Sequence, residues 1–180
     1  MTFSFKSSEL RILVIEDDQK NAQLIGTLLK KEEYSISMTS NGFEALRLAK
    51  INLPDIILLD IYLSDSNGIE ICQKLKEDKQ TYPIPVIFIT SEENTNMRLR
   101  GFEVGGADYV NKPFDQIELL ARIKAHLSIK ILREQLIKDT EIKTRLKAHG
   151  VIAHKIYNPL TSILNSLELI EKNIDIKDGN

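Results

Sequence analysis

Several features are scarce in this chain, and each scarcity excludes something. One cysteine, Cys72, stands among 180 residues, so no intramolecular disulfide can form. That excludes a disulfide-stapled scaffold and points to a reducing cytoplasm. Cys72 shares a helical face with Ile69 and Leu75, which predicts a core position rather than a reactive one. No segment approaches the roughly 20 consecutive apolar residues of a membrane span. The opening MTFSFKSSEL lacks the apolar core of a signal peptide. Neither charge sign dominates: the net charge is −2. Residues 1–127 carry 15 Lys and Arg against 19 Asp and Glu, and the remainder carries 9 against 7. Neither part has the basic stripe of a nucleic-acid binder, so nucleic acid and membrane are not expected partners.

What is present is alternation. The stretch PDIILLDIYLSDSNG, residues 54–68, holds an apolar run that delivers Asp60 at its end. Such a run suits a strand buried on both faces of a parallel sheet. Similar runs occur at Leu10 to Ile15, Tyr34 to Thr39, Pro85 to Thr90 and Asp108 to Asn111, with strand 3 over Asp55 to Asp60. Helical patterns separate them, after Asp18, over Gly42 to Ala49, over Ile69 to Leu75, through Arg98 and Phe102, and from Asp115. Five strands alternating with helices predict an α/β fold, a parallel sheet with helices on both faces. In that fold every strand-end loop lies on one edge, where ligands bind. Glu16 and Asp17, Asp60, Thr90 and Lys112 all fall there.

Three carboxylates then meet one ammonium and one hydroxyl. Crowded carboxylates repel, and a divalent cation relieves the repulsion. Mg²⁺ takes oxygen ligands and leaves room for a phosphoryl oxygen. Asp60 beside such an ion can act as a nucleophile on a phosphoryl group. Lys112 and Thr90 can stabilise its equatorial oxygens. Two rival classes fail on residues. A haloacid-dehalogenase phosphatase needs an Asp two positions after the nucleophile, where Tyr62 stands. A dinucleotide fold needs GxGxxG after strand 1, where Glu16-Asp17-Asp18 stands.

With VIEDD ending strand 1, LLD ending strand 3, FITS at strand 4 and DYVNKPF at strand 5, residues 9–127 resemble a response-regulator receiver domain. The resemblance implies the flavodoxin-like (CheY-like) fold, with Asp60 as phosphoacceptor. It implies Mg²⁺ held by Glu16, Asp17, Asp60 and the Tyr62 backbone carbonyl. Thr90 would be the switch hydroxyl, Tyr109 the switch aromatic and Lys112 the active-site lysine, in a cis bond with Pro113. The partner would be a cognate histidine kinase or phosphotransfer protein. Glu16 stands where many members have Asp. Tyr62-Leu63-Ser64 replaces a common Met-Met-Pro, which points to a looser loop after Asp60.

The last third lacks breakers: no Pro lies between Phe114 and Pro159 and no Gly before Gly150. A stripe of Ile117, Leu120, Ile123, Leu127, Ile131 and Leu132 predicts a long C-terminal helical extension, pairing as a coiled-coil homodimer. His154, Pro159 and the Leu-Thr-Ser-Ile that follows Pro159 resemble the H-box of a histidine-kinase dimerisation helix. That makes His154 a possible second phosphosite, although Lys155 stands where that family carries an acid. His126 and His149 match no motif and are expected at the surface. The predicted organisation is a receiver over 1–127, a coiled-coil linker over 128–150 and an H-box-like helix over 151–180. No ATP-binding domain follows, so autophosphorylation from ATP is not expected of these 180 residues. The expected function is two-component signalling. The alternative is the front end of a hybrid sensor histidine kinase, with His154 as its phosphotransfer histidine.

Overall fold

A computed structural model describes residues 7–91 and 95–138. Two compact units divide the chain, Met1–Ile131 and Leu132–Asn180. The H-box, His149, His154 and most of the proposed coiled coil lie outside the described residues. Of the second unit, residues 132–138 are described, and they are helical and exposed.

The first unit is built on five parallel strands: β1 (Arg11–Ile15), β2 (Ser35–Thr39), β3 (Ile56–Leu59), β4 (Val86–Thr90) and β5 (Asp108–Asn111). Their order in the sheet is β2-β1-β3-β4-β5. Helices α1 (Gln19–Lys31), α2 (Gly42–Asn52), α3 (Gly68–Glu77) and α4 (Thr95–Glu103) alternate with them. Residues 116–138 are helical, and those up to 131 belong to the first unit and are called α5 here.

Strand alternation sorts the core into two layers. Ile12, Val14, Ile56, Leu58, Ile87 and Ile89 face α1 and α5. Leu13, Ile15, Ile57, Leu59, Val86 and Phe88 face the other helices. Every residue of β3 and β4 is buried, as the unbroken apolar runs require. Fully burying each such side chain contributes roughly 1.5–3 kcal/mol. Cys72 is buried in the second layer, as expected.

Three helices start on an Asx cap. Asp18 accepts from Asn21 N, Asn41 from Glu44 N and Asn67 from Ile69 N. Each cap satisfies a backbone donor that the first helical turn leaves without a partner. Asp18 and Asn41 come within three residues of the ends of β1 and β2, whereas Asn67 follows the loop over residues 60–66 after β3.

Several boundaries differ from the sequence reading. Strand β3 excludes both flanking aspartates. Asp55 keeps a ladder bond, its N–H donating to Arg11 O (2.7 Å), while its carboxylate accepts from Arg11 N–H (2.8 Å) and Lys130 Nζ (2.8 Å). Helix α2 runs on to Asn52 and stops where Leu53 takes a left-handed backbone, φ 43°. On α5 the buried row is Leu119, Ile123 and Leu127, all fully inaccessible, whereas Ile117 is 79% exposed. Ile117 lies about 200° around the helix from Leu119, so the two cannot share the docked face.

Candidate functional site

The strand order places the topological switch point between β1 and β3, because the chain leaves β1 for opposite sides of the sheet. The residues just past the strand ends keep extending the ladder. Asp60 N–H donates to Ile15 O (2.9 Å), Glu16 N–H to Thr39 O (3.1 Å) and Lys112 N–H to Thr90 O (2.8 Å). These bonds fix the backbone from which each polar side chain leaves. Gly68 N–H closes on Ile61 O at 2.8 Å. A Cβ on Gly68 would stand 2.1 Å from Asp60 O, so only glycine lets α3 begin against this backbone.

Lys112 is the centre of charge. Its Nζ donates to Asp60 Oδ2 at 2.6 Å and to Glu16 Oε1 at 2.9 Å, with Glu16 Oε2 also 2.7 Å away. Lys112 and Pro113 are joined by a cis peptide bond. Asp60 Oδ1 accepts from Tyr62 N–H at 3.1 Å. Asp17 Oδ2 accepts from Ser64 N–H at 2.7 Å. Carboxylate oxygens of Glu16, Asp17 and Asp60 all lie within 4.8 Å of one another.

The two ends of the Glu16–Lys112 pair respond differently. Burial pushes the Glu16 carboxyl above its ordinary range, and the Lys112 ammonium pulls it only part of the way back. Burial acts to lower Lys112, but its bonds to Asp60 and Glu16 outweigh that and hold it above its ordinary value. The asymmetry has a simple cause. Lys112 is served by two carboxylates, whereas Glu16 shares one ammonium and feels the repulsion of Asp60. The site is short of positive charge. Glu16 Oε2 lies 2.7 Å from Nζ as an ion pair but, among the described residues, accepts no hydrogen bond. A buried orphan carboxylate oxygen beside two further carboxylates is a donor set that fits a hard divalent cation.

Thr90 is fully buried at the end of β4. It lines a small cavity under α4 together with Ile61, Arg98, Phe102 and Tyr109. Tyr109 is half-buried on β5, beside Phe88 in register.

The loop after Asp60 is not loose. Tyr62 and Asn67 form an antiparallel bridge, and Leu63 N–H donates to Ser66 O. Asp65 accepts from Asn41 Nδ2 (2.7 Å), Gly42 N–H (3.1 Å) and Ser66 Oγ (2.8 Å), tying this loop to the start of α2. Sequence reasoning missed Asp65. Its one signal was its place in a polar turn, and nothing local indicates a partner 23 residues away. His126 also departs from expectation. It is part-buried, 3.2 Å from Asp108 Oδ2, on a carboxylate that also receives Arg122 at 2.8 Å.

Order, register and an acidic cluster at the switch point define a doubly wound α/β domain with a cation-ready carboxyl edge. The family of the response regulator receiver domain matches residues 12–124, and the chain belongs to it. Response regulator PleD of Caulobacter vibrioides is 38% identical over 143 residues, 79% of this chain and 31% of that protein. The chain thus spans about a third of that relative's length. A two-component response regulator from Clostridium difficile superposes with a TM-score of 0.62 at 31% identity, covering 66% of this chain and 96% of that one. The receiver domain of a sensor histidine kinase from Pseudomonas aeruginosa, with a magnesium ion coordinated in its active-site cleft, gives 0.62 at 25% identity, covering 66% and 98%.

Proposed function

We propose that Asp60 accepts a phosphoryl group from a partner phosphohistidine. An Asp60 carboxylate oxygen attacks phosphorus, the N–P bond breaks, and the imidazole nitrogen keeps the electron pair. The product is an acyl phosphate on Asp60. Glu16, Asp17, Asp60 and the Tyr62 carbonyl would hold Mg²⁺, which when bound supplies charge stabilisation on the phosphoryl oxygens. The chain's own residues do the rest. Lys112 already touches Asp60 and is placed to follow the charge onto a phosphoryl oxygen. Tyr62 N–H orients the carboxylate. Thr90 is the hydroxyl to be drawn toward the new group, with Tyr109 responding beside it. The single observation that carries this reading is the convergence of Glu16, Asp17, Asp60 and Lys112 at the switch point.

Domain limits of 1–127, 128–150 and 151–180 remain part of the proposal, with the helical segment pairing two copies. The H-box resemblance at His154 favours a second reading, the front end of a hybrid kinase with His154 in a relay. Incubation with acetyl phosphate and Mg²⁺ tests both. Hydroxylamine-labile label confined to Asp60 and absent in Asp60→Asn supports the receiver. Acid-labile label at His154 adds the relay. No label at either site refutes both readings.

A further inference from the structure

The ring of Tyr109 is held on two sides by one helix. The guanidinium carbon of Arg98 lies 3.5 Å from the ring centroid. Phe102 meets the ring edge-on, at 5.8 Å between centroids and 73° between planes. Arg98 and Phe102 are four residues apart on α4, so the same helical face carries both contacts. At 3.5 Å from the centroid the guanidinium is well within the range over which the ring attracts a cation, and its planar group is suited to lying on an aromatic face. The neighbouring carboxylate, Asp108, is engaged by Arg122 through both oxygens, at 2.9 and 2.8 Å. The cavity lined by Thr90, Ile61, Arg98, Phe102 and Tyr109 lies at this junction.

We propose that Arg98 is a positioning residue that latches α4 onto Tyr109 and so sets how readily the domain takes up a phosphoryl group. The inference rests on the reading of Asp60 as acceptor and of Thr90 and Tyr109 as the responding pair. In the arrangement in which the stack is made, both Asp60 oxygens are engaged within the site, Oδ1 by Tyr62 N–H and Oδ2 by Lys112 Nζ, a pattern that a phosphoryl group on Asp60 would have to rearrange. A contact present in one state of a two-state element favours that state by its own strength. A turn of the Tyr109 ring away from Arg98 gives up this contact. Loss of the stack therefore lowers the cost of leaving the unphosphorylated arrangement. Arg98 touches none of the reacting groups and acts through Tyr109.

Two measurements on the full chain test this. In the first, Asp60 is labelled with acetyl phosphate and Mg²⁺ in the wild type, Arg98→Met and Arg98→Lys. Methionine keeps the apolar stem but removes the charge and the plane. Its labelling is expected to be about 3- to 10-fold faster, the factor a cation–π contact of this kind supports. Lysine, which keeps the charge without the plane, is expected to fall between. In the second, the Arg98 Nε–H proton resonance is followed by NMR. Stacked on the ring it is shielded, and Tyr109→Leu should return it to the ordinary arginine position. Equal or slower labelling of Arg98→Met, or a resonance indifferent to Tyr109→Leu, overturns the latch. Absence of label in the wild type overturns the acceptor reading, and the latch with it.

Discussion

Lys112 shows how much one side chain can settle at this site. Its ammonium sits between Asp60 and Glu16, and its own backbone continues the β4–β5 ladder. Residue types and strand-end positions made this cluster legible in advance. The sharing of Lys112 was not, because it depends on side-chain reach across three strands. Cys72 is a case where pattern and structure agree. Its thiol is fully buried, and burial pushes its pKa up to about 11 from an ordinary 9.0. The unfolded chain loses this proton first, so between pH 9 and 11 rising pH favours unfolding. The stability that Cys72 contributes is complete below pH 9 and is lost as pH climbs through 11, by up to about 2.7 kcal/mol for two pH units. Tyr34, also raised by burial, acts in the same direction. Urea titrations from pH 8 to 11 should show a steeper fall for wild type than for Cys72→Ala. Equal slopes would refute the assignment.

At the scale of elements, α5 is the most informative. Its helical period was evident, and Ile123 and Leu127 of the expected stripe are buried, but they pack against the sheet and the buried row continues through Leu119, not Ile117. Ile117 and Leu119 are equally apolar, and sequence alone offers no reason to choose between them. The sheet chooses, because Leu119, Ile123 and Leu127 meet β-strand side chains in one layer. Ion pairs from the same helix reinforce that rotation: Arg122 to Asp108, Lys124 to Glu32 and Lys130 to Asp55, each at 2.7–2.8 Å. Leu119→Ala should cost roughly 2–5 kcal/mol in urea unfolding, as a buried truncation does. Ile117→Ala should stay within about 0.5 kcal/mol. A reversal of that order would mean that α5 docks through Ile117 and not through Leu119. The loop after Asp60 teaches the same lesson, since Asp65 and Ser64 tie it to α2 and to Asp17 through contacts that are distant in sequence.

At the scale of the molecule, the carboxyl edge gathers more negative charge than it neutralises. Glu16, Asp17 and Asp60 face one ammonium, so ion binding should be linked to folding. A ligand at 100 times its dissociation constant stabilises the fold by about 2.7 kcal/mol. Thermal melting in saturating Mg²⁺ should therefore rise by several degrees over metal-free buffer. In Asp17→Asn the rise should shrink or vanish, while the metal-free midpoint stays level or increases as repulsion falls. An identical Mg²⁺ response in wild type and Asp17→Asn would rule out this cluster as the cation site.

The sequence by itself determined the class of fold and the edge at which the three carboxylates and Lys112 gather. Those depend on periodicity and on residues at strand ends, which are local properties. Apolar runs of strand length, Asx caps and polar strand ends are each readable within a few positions. The tertiary structure alone decided which carboxylates share Lys112, which stripe of α5 is buried, how Asp65 ties the loop and where Arg98 stacks. Each of those is a contact between elements far apart in the chain. Its energy depends on distance and orientation, which residue order does not encode position by position.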